Sequence, residues 1–202
     1  MRRILYDMNI SKEMTKKDII ETILFIMRQI LNYTSKLKET IPSVFDKKEK
    51  EDKNALSDLS TCQSDSLSDK ENDNCTEEKY TIAELINYWI EKLNFNEDML
   101  YLMMMNLDKL LNSKKIILND KNVENILFTC MVITQKYYED VIFSDKDYSK
   151  LKNIEYDDLI NMQMDFLETI NYSLLINKDD LEQYKIKMKR VWKKNMIFLL
   201  NS

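Results

Sequence analysis

The chain contains no glycine and no histidine among its 202 residues, and both absences exclude kinds of active site. An average chain of this length would carry about 14 glycines. Without glycine there is no glycine-rich phosphate loop and no dinucleotide-binding fingerprint. Without histidine there is no Ser–His or Cys–His nucleophile pair, and no histidine can bind a metal. Any enzyme built on this chain would have to use carboxylates, lysine, tyrosine or cysteine alone.

Cysteine is scarce, and long apolar runs are absent. The three cysteines are Cys62, Cys75 and Cys130. An odd number without CxxC spacing predicts free thiols in a reducing compartment, which indicates the cytoplasm or the nucleus. The longest apolar stretch, residues 19–31, contains charged side chains and is too short to span a bilayer. No signal peptide is predicted, because no apolar core follows Arg2 and Arg3.

The negative charge is concentrated in one segment. The whole chain has a net charge of −5, which gives no general attraction for nucleic acid. Residues 46–79 contain 11 acidic and 6 basic side chains, a difference that equals this net charge. A segment with so few aliphatic residues buries too little apolar surface to fold, so we predict a disordered acidic insert. Its serines resemble acidic-directed kinase sites, although a solvated insert is the simpler interpretation.

Apolar residues recur with helical spacing on both sides of this insert, and no segment alternates like a strand. Thr81 with Glu84 predicts a capped helix start, and Asn96 predicts another. The predicted class is all-α. The predicted helices cover residues 16–38, 81–93, 97–112, 119–138, 155–170 and 177–199, with a short helix near 147–151. We divide the chain into an N-terminal helix packed on the main domain (1–45), the insert (46–79), and the main domain with a basic C-terminal helix (80–202).

One predicted helix is apolar on nearly every side. Residues 122–138 read NVENILFTCMVITQKYY, and a helix without a polar face belongs in the middle of a bundle. Its last turn carries Lys136, and Glu139 and Asp140 follow. Such a lysine is either solvated at the negative end of the helix dipole or in contact with another protein. We therefore expect the domain to present a surface at this end.

Two further patterns allow other functions. Three carboxylate pairs suggest the divalent-metal site of a helical lyase or synthase: Glu139–Asp140, Asp157–Asp158 and Asp179–Asp180. Two of the pairs fall in the first turn of a predicted helix, where acids are favoured by the dipole, so this is the simpler interpretation. The stretch 185–194 holds six basic residues and no acid. It fits a solvated helix face, a nuclear-import patch, a nucleic-acid contact or a face for an anionic partner.

The order of the helices and two motifs resemble the cyclin box, and most of all the P/U-type cyclins of the phosphate-pathway group. The motifs are ITQKYYED at 133–140 and DDLINMQMDFLETINYSLL at 157–175. The resemblance covers about residues 80–185, as five box helices with one extra helix before them and one after. The positions similar to the group's own motifs are residues 135–140, Tyr148, Lys150, residues 162–167 and Tyr172.

This resemblance implies a protein that is not an enzyme, has no cofactor and binds a cyclin-dependent kinase, without a nucleic-acid, membrane or small-molecule partner. In cyclins a lysine at the end of the third box helix and a glutamate in the fifth contact the kinase. Lys136 takes the first position, whereas Gln163 stands where the family has glutamate. An amide forms a weaker bond than a carboxylate does, and Asp165 is a candidate to compensate. The implied partner-binding residues are Lys136, Glu139, Asp140, Gln163 and Asp165.

The resemblance leaves one structural expectation and one alternative function. The group's Gly-Gly before the fifth box helix is Lys152-Asn153 here, and we expect any positive φ angle to fall on Asn153. The alternative to a kinase regulator is a helical adaptor that holds a non-kinase partner and leaves kinase activity unchanged.

Overall fold

Seven helices make up the described part of the protein. A computed structural model describes residues 13–40 and 81–201, with side chains described at 13–36 and 81–197. The predicted insert, Cys62 and Cys75 lie outside these residues. The helices are α1 Lys16–Thr40, α2 Ile82–Lys92, α3 Glu97–Asn112, α4 Val123–Tyr138, α5 Asp145–Lys152, α6 Tyr156–Thr169 and α7 Lys178–Asn201. These ranges contain no strand, so the predicted all-α class is confirmed.

Local capping explains where several helices begin. The Thr81 side chain accepts a hydrogen bond from the Glu84 N–H, and the Glu84 carboxylate accepts one from the Thr81 N–H at 2.7 Å. Asn96 caps α3 by accepting from the Met99 N–H at 2.9 Å. A side-chain oxygen here bonds N–H groups that the first helical turn leaves without a partner. Both predicted helix starts are confirmed.

The central helix begins later than the sequence predicted, at Val123 rather than at residue 119. The side chains of Asn119 and Asn122 explain the difference. Asn119 accepts a hydrogen bond from the Lys121 N–H at 2.9 Å, and Asn122 accepts one from the Asn119 N–H at 2.8 Å. These local bonds build a turn that competes with helix formation.

Helix α4 lies at the centre of the bundle, where it packs against α3 and α6. Nine consecutive residues, 127–135, are buried, which confirms the prediction of a helix without a polar face. Cys130 within this run is a free thiol whose pKa is raised by burial. Lys136 follows the run directly and is half-buried. The buried run therefore ends one residue before Lys136, and this lysine lies where the central helix reaches the edge of the domain.

Helices α1 and α7 pack on each other and on α3. Ile19 and Ile23 of α1 and Trp192 of α7 are buried. Part of the basic stretch on α7 also contacts the domain, because Lys185 pairs with Asp98 of α3 at 2.8 Å. Among the described helices, none is long and apolar enough to cross a membrane. The division of the chain into three parts stays a prediction, because the insert lies outside the described residues.

Candidate partner-binding site

Three polar side chains meet where α4 ends. The Lys136 ammonium lies 2.5 Å from Asp145 Oδ1 and donates to Gln163 Oε1 at 2.8 Å. The Gln163 amide nitrogen donates to the same Asp145 oxygen at 3.0 Å. Helices α4, α5 and α6 each contribute one member of this cluster. The structure thus brings together Lys136 and Gln163, which the sequence singled out, and adds Asp145, which it did not.

The cluster is charged and only partly open to water. The side chains of Lys136 and Asp145 are 28% and 25% exposed, and Gln163 is buried. Burial alone would raise the pKa of Asp145. The hydrogen bonds from Lys136 and Gln163, together with the ammonium charge, outweigh burial and leave this pKa below its ordinary value of 3.8. The carboxylate is therefore ionised at neutral pH, and its bond to Lys136 is charge-assisted.

A short capped helix places Asp145 beside the end of α4. Ser144 and Asp147 form a capping box, in which the Ser144 hydroxyl donates to Asp147 Oδ2 at 2.6 Å. Because of this cap, α5 begins at Asp145, two residues before the predicted start near 147. An acid in the first turn is stabilised by the helix dipole. The Ser-x-x-Asp pattern at 144–147 is the sequence signal that could have located this turn.

The remaining predicted partner residues lie outside this cluster. Glu139 follows the last turn of α4 and accepts a hydrogen bond from the Asn96 amide at 3.3 Å. Asp140 and Asp165 are both exposed. The carboxylate that bonds the lysine at the end of α4 is Asp145 and not Asp165.

The loop between α4 and α5 exposes apolar side chains next to the cluster. Val141 is 86% exposed, and Ile142 and Phe143 are close to half exposed. The Phe143 ring packs edge-on against Tyr148, with centroids 5.8 Å apart. Sequence reasoning missed this triplet, because the stretch 141–153 is polar when taken as a whole. In the folded chain they form the apolar tip of a surface loop.

A cleft of about 480 Å³ opens beside this loop. Residues that line it include Lys16, Leu93, Phe95, Glu139, Val141 and Phe143. Underneath, the Gln135 amide donates to the Leu93 carbonyl at 2.8 Å and accepts from the Tyr148 hydroxyl at 2.9 Å. Burial raises the pKa of Tyr148 to about 12, so the hydroxyl is neutral and donates. These buried bonds join the α2–α3 loop, α4 and α5 beneath the exposed loop.

A second lysine cluster lies at the other end of α5. Lys152 Nζ is 2.6 Å from Glu124 Oε1, and 5.5 and 5.8 Å from the ring centroids of Trp89 and Phe128. The Lys152 side chain is only 3% exposed, so this ammonium is part of the interior. Asn153 follows with a φ of 58°, which confirms the expected left-handed conformation at this position.

The carboxylate pairs do not converge. Across the described residues, no group of three or more acidic or cysteine side chains could hold a metal ion. Asp157–Asp158 and Asp179–Asp180 lie in the first turns of α6 and α7. There they stabilise the positive ends of the helix dipoles.

Comparison with known proteins identifies the family. The sequence model described as "Cyclin, N-terminal domain" matches residues 48–175, more than half of the chain. Cyclin-U2-1 of Arabidopsis thaliana is 30% identical over 69 residues, which cover 34% of this chain and 31% of that protein. PHO85 cyclin-6 and PHO85 cyclin-7 of Saccharomyces cerevisiae are each 22% identical over 76 residues, or 38% of this chain and 18% and 27% of theirs. No solved structure matches.

The aligned part of the chain thus spans less than a third of the length of each of these relatives. The family match begins at residue 48, within the predicted insert and outside the described residues, and ends after α6. It includes Lys136, Asp145 and Gln163. The chain therefore belongs to the cyclin family, and its relatives place it with the P/U-type cyclins.

Proposed function

We propose that the chain is a non-catalytic regulatory subunit that binds a cyclin-dependent kinase through the surface around Lys136, and activates or targets it. Family membership supports this proposal, and two of the relatives are named as cyclins of PHO85. The observation that carries it is the Lys136–Asp145–Gln163 cluster beside the exposed apolar loop 141–143.

The chemistry of this surface suits a protein partner. A lysine ammonium has three hydrogens, and Lys136 directs two of its bonds to Asp145 and Gln163. A third hydrogen remains for an acceptor on the partner. The apolar residues 141–143 belong to the loop that leads from α4, which carries Lys136, to Asp145, and interfaces commonly combine an apolar patch with polar contacts at its rim.

Activation requires only binding energy from the cyclin. In protein kinases the glutamate of helix αC must pair with the catalytic lysine before phosphoryl transfer can proceed. A subunit that binds the conformation with αC inward shifts the population toward it, by as much as its affinities for the two conformations differ. No residue of this chain needs to touch ATP or substrate in such a mechanism.

The other residues singled out by the resemblance complete the proposed surface. We assign Glu139, Asp140 and Asp165 to its rim, where the half-buried Glu139 and the two exposed aspartates favour a partner with basic side chains. We expect the protein to act in the cytoplasm or the nucleus. We assign it no nucleic-acid, membrane or small-molecule partner.

The test is affinity purification of the tagged chain from its own cells, with mass spectrometry and a kinase assay on the eluate. We expect a cyclin-dependent kinase to co-purify. Lys136→Glu should weaken its affinity at least tenfold, or about 1.4 kcal/mol, because the charge that meets the partner is reversed. The matched control is Lys121→Glu, an exposed lysine before the opposite end of α4.

The outcomes separate the two candidate functions. Unchanged affinity of Lys136→Glu, with a kinase captured, would remove this lysine from the interface. An eluate without any kinase, in which another protein is bound stably, would replace the kinase-regulator proposal with the helical adaptor.

A further inference from the structure

The α4–α5 loop has an unusual distribution of polar and apolar residues. At its start, Glu139 is bonded to Asn96 of the α2–α3 loop at 3.3 Å. At its end, Ser144 caps α5. Between these polar anchors, the side chains of residues 141–143 are exposed. Loops normally expose polar residues, and contiguous exposed apolar residues mark sites of interaction.

The Lys136–Asp145 ion pair joins the two ends of this loop. Lys136 lies in the last turn of α4, which ends at Tyr138, and Asp145 is the first residue of α5, after the six loop residues 139–144. A contact that closes a short loop removes much of the loop's conformational freedom. A lysine bonded only to α6 would hold α4 and α6 together and would leave the loop unclosed.

Gln163 fits this arrangement better than a glutamate does. Its carbonyl accepts from Lys136 at 2.8 Å while its amide nitrogen donates to Asp145 at 3.0 Å. A glutamate at this position has no hydrogen to donate, and it would place a second negative charge beside Asp145. Because Asp145 on α5 supplies the carboxylate for the lysine, position 163 on α6 does not need an acid, and a glutamine there can bond both partners.

We propose that the Lys136–Asp145 pair is a clamp that closes the loop 139–144 and holds Val141, Ile142 and Phe143 as a preorganised docking surface for the kinase. This inference rests on the proposed function for the identity of the partner. Fixing a loop before binding lowers the entropy lost on association and so raises affinity. The edge-on contact of the Phe143 ring with the buried Tyr148 ring also restricts the position of Phe143.

The loop clamp is tested on the isolated chain of 202 residues by NMR relaxation of the backbone amides of residues 140–143. We expect order parameters of about 0.8 in the unmodified chain and below about 0.6 in Asp145→Asn, the range of flexible backbone. Asp120→Asn is the matched control, an exposed aspartate in the turn before α4. Order parameters that stay the same in Asp145→Asn would overturn the clamp.

The docking role is tested with the kinase captured in the affinity purification. Asp145→Asn should lower its affinity about tenfold. The double variant Asp145→Asn/Gln163→Glu returns a carboxylate to Lys136 from α6 without closing the loop. We expect its loop to stay mobile and its affinity to stay at least fivefold below that of the unmodified chain.

The double variant separates positioning of the lysine from presentation of the loop. Full recovery of affinity with a mobile loop would show that the kinase needs only a charged partner for Lys136, and would overturn the docking surface. Failure to capture any kinase with the unmodified chain would instead overturn the proposed function and the docking role with it. The NMR measurement would still decide whether the clamp exists.

Discussion

Two lysines of this protein meet carboxylates at similar distances, in surroundings that differ. Lys152 lies 2.6 Å from Glu124 and stacks over Trp89 and Phe128, with 3% of its side chain exposed. Lys136 lies 2.5 Å from its carboxylate, in a cluster closed by a glutamine amide rather than by rings, with 28% of its side chain exposed. The ammonium of the pair is thus buried in one place and accessible in the other, while the Glu124 carboxylate beside the buried ammonium is itself 46% exposed.

This difference separates a structural lysine from one suited to binding. The buried ammonium loses its water on folding, and its carboxylate and the two aromatic faces replace that water. It has no open side for a partner. The Lys136 side chain at the end of α4 is 28% exposed, and the loop that follows this helix carries exposed apolar side chains. Changes at the first lysine should therefore act on stability, and changes at the second on binding.

The largest expected effect at the two lysine clusters is on folding and comes from Glu124→Gln. Removing this carboxylate leaves the buried Lys152 ammonium without a counter-charge, and because the carboxylate itself is 46% exposed we expect a loss of about 2 kcal/mol in the free energy of unfolding. Urea denaturation measures it, with the exposed Glu91→Gln as control, expected within about 0.5 kcal/mol. Kinase affinity of the folded fraction should not change. A loss no larger than that of the control would show that the rings alone stabilise the ammonium.

Lys136→Ala should have the opposite pattern of effects, a smaller loss of stability and a clear loss of kinase affinity. We expect it to lower the free energy of unfolding by about 1.5 kcal/mol, because one charge-assisted bond and one neutral acceptor are lost at a partly hydrated site. Kinase affinity should fall at least tenfold. Denaturation and binding of the same preparation measure both quantities. A large loss of stability with unchanged affinity would make this lysine structural, like Lys152.

Much of the fold could be predicted because its signals are local. The capping pattern of Thr81 with Glu84 and the side chain of Asn96 define helix starts within four residues of sequence. The predicted start of α4 at residue 119 was wrong, and the cause is also local. The side chains of Asn119 and Asn122 accept hydrogen bonds from nearby N–H groups and stabilise a turn before the helix. Propensity and periodicity do not determine which of two local bonding patterns wins.

The candidate site was predictable only in part, because its contacts connect distant positions. The motif resemblance indicated Lys136 and Gln163, which are 27 residues apart and in contact. Asp145 belongs to no such motif. Its contact with Lys136 depends on the path of the loop that brings the start of α5 close to the end of α4. The exposure of the 141–143 triplet could not be predicted either, because a sequence does not show which apolar residues stay uncovered after packing.

The pH dependence of stability should show whether the charge of Asp145, in the accessible pair with Lys136, contributes to stability. The pKa of Asp145 is lower in the folded chain than its ordinary value of 3.8. Its contribution to stability is therefore complete above that ordinary value and is lost as pH falls through the lowered one. We expect Asp145→Asn to be about 1 kcal/mol less stable than the unmodified chain at pH 7. Near pH 3 the gap should shrink. Urea denaturation at both pH values measures it, and an equal gap at both would assign the role of Asp145 to shape instead of charge.

The smallest expected effect on folding comes from Val141→Ser, in the loop beside the accessible lysine. Val141 is 86% exposed, so removing its methyl groups should change the free energy of unfolding by less than about 0.5 kcal/mol. If the loop is a docking surface, kinase affinity should still fall severalfold, because the partner would bury the valine. Leu107→Ala, a fully buried position on α3, is the contrasting variant and should cost about 3 kcal/mol of stability. A valine that affects neither folding nor binding would confine the docking surface to the polar cluster, and the accessible lysine would then act without the loop.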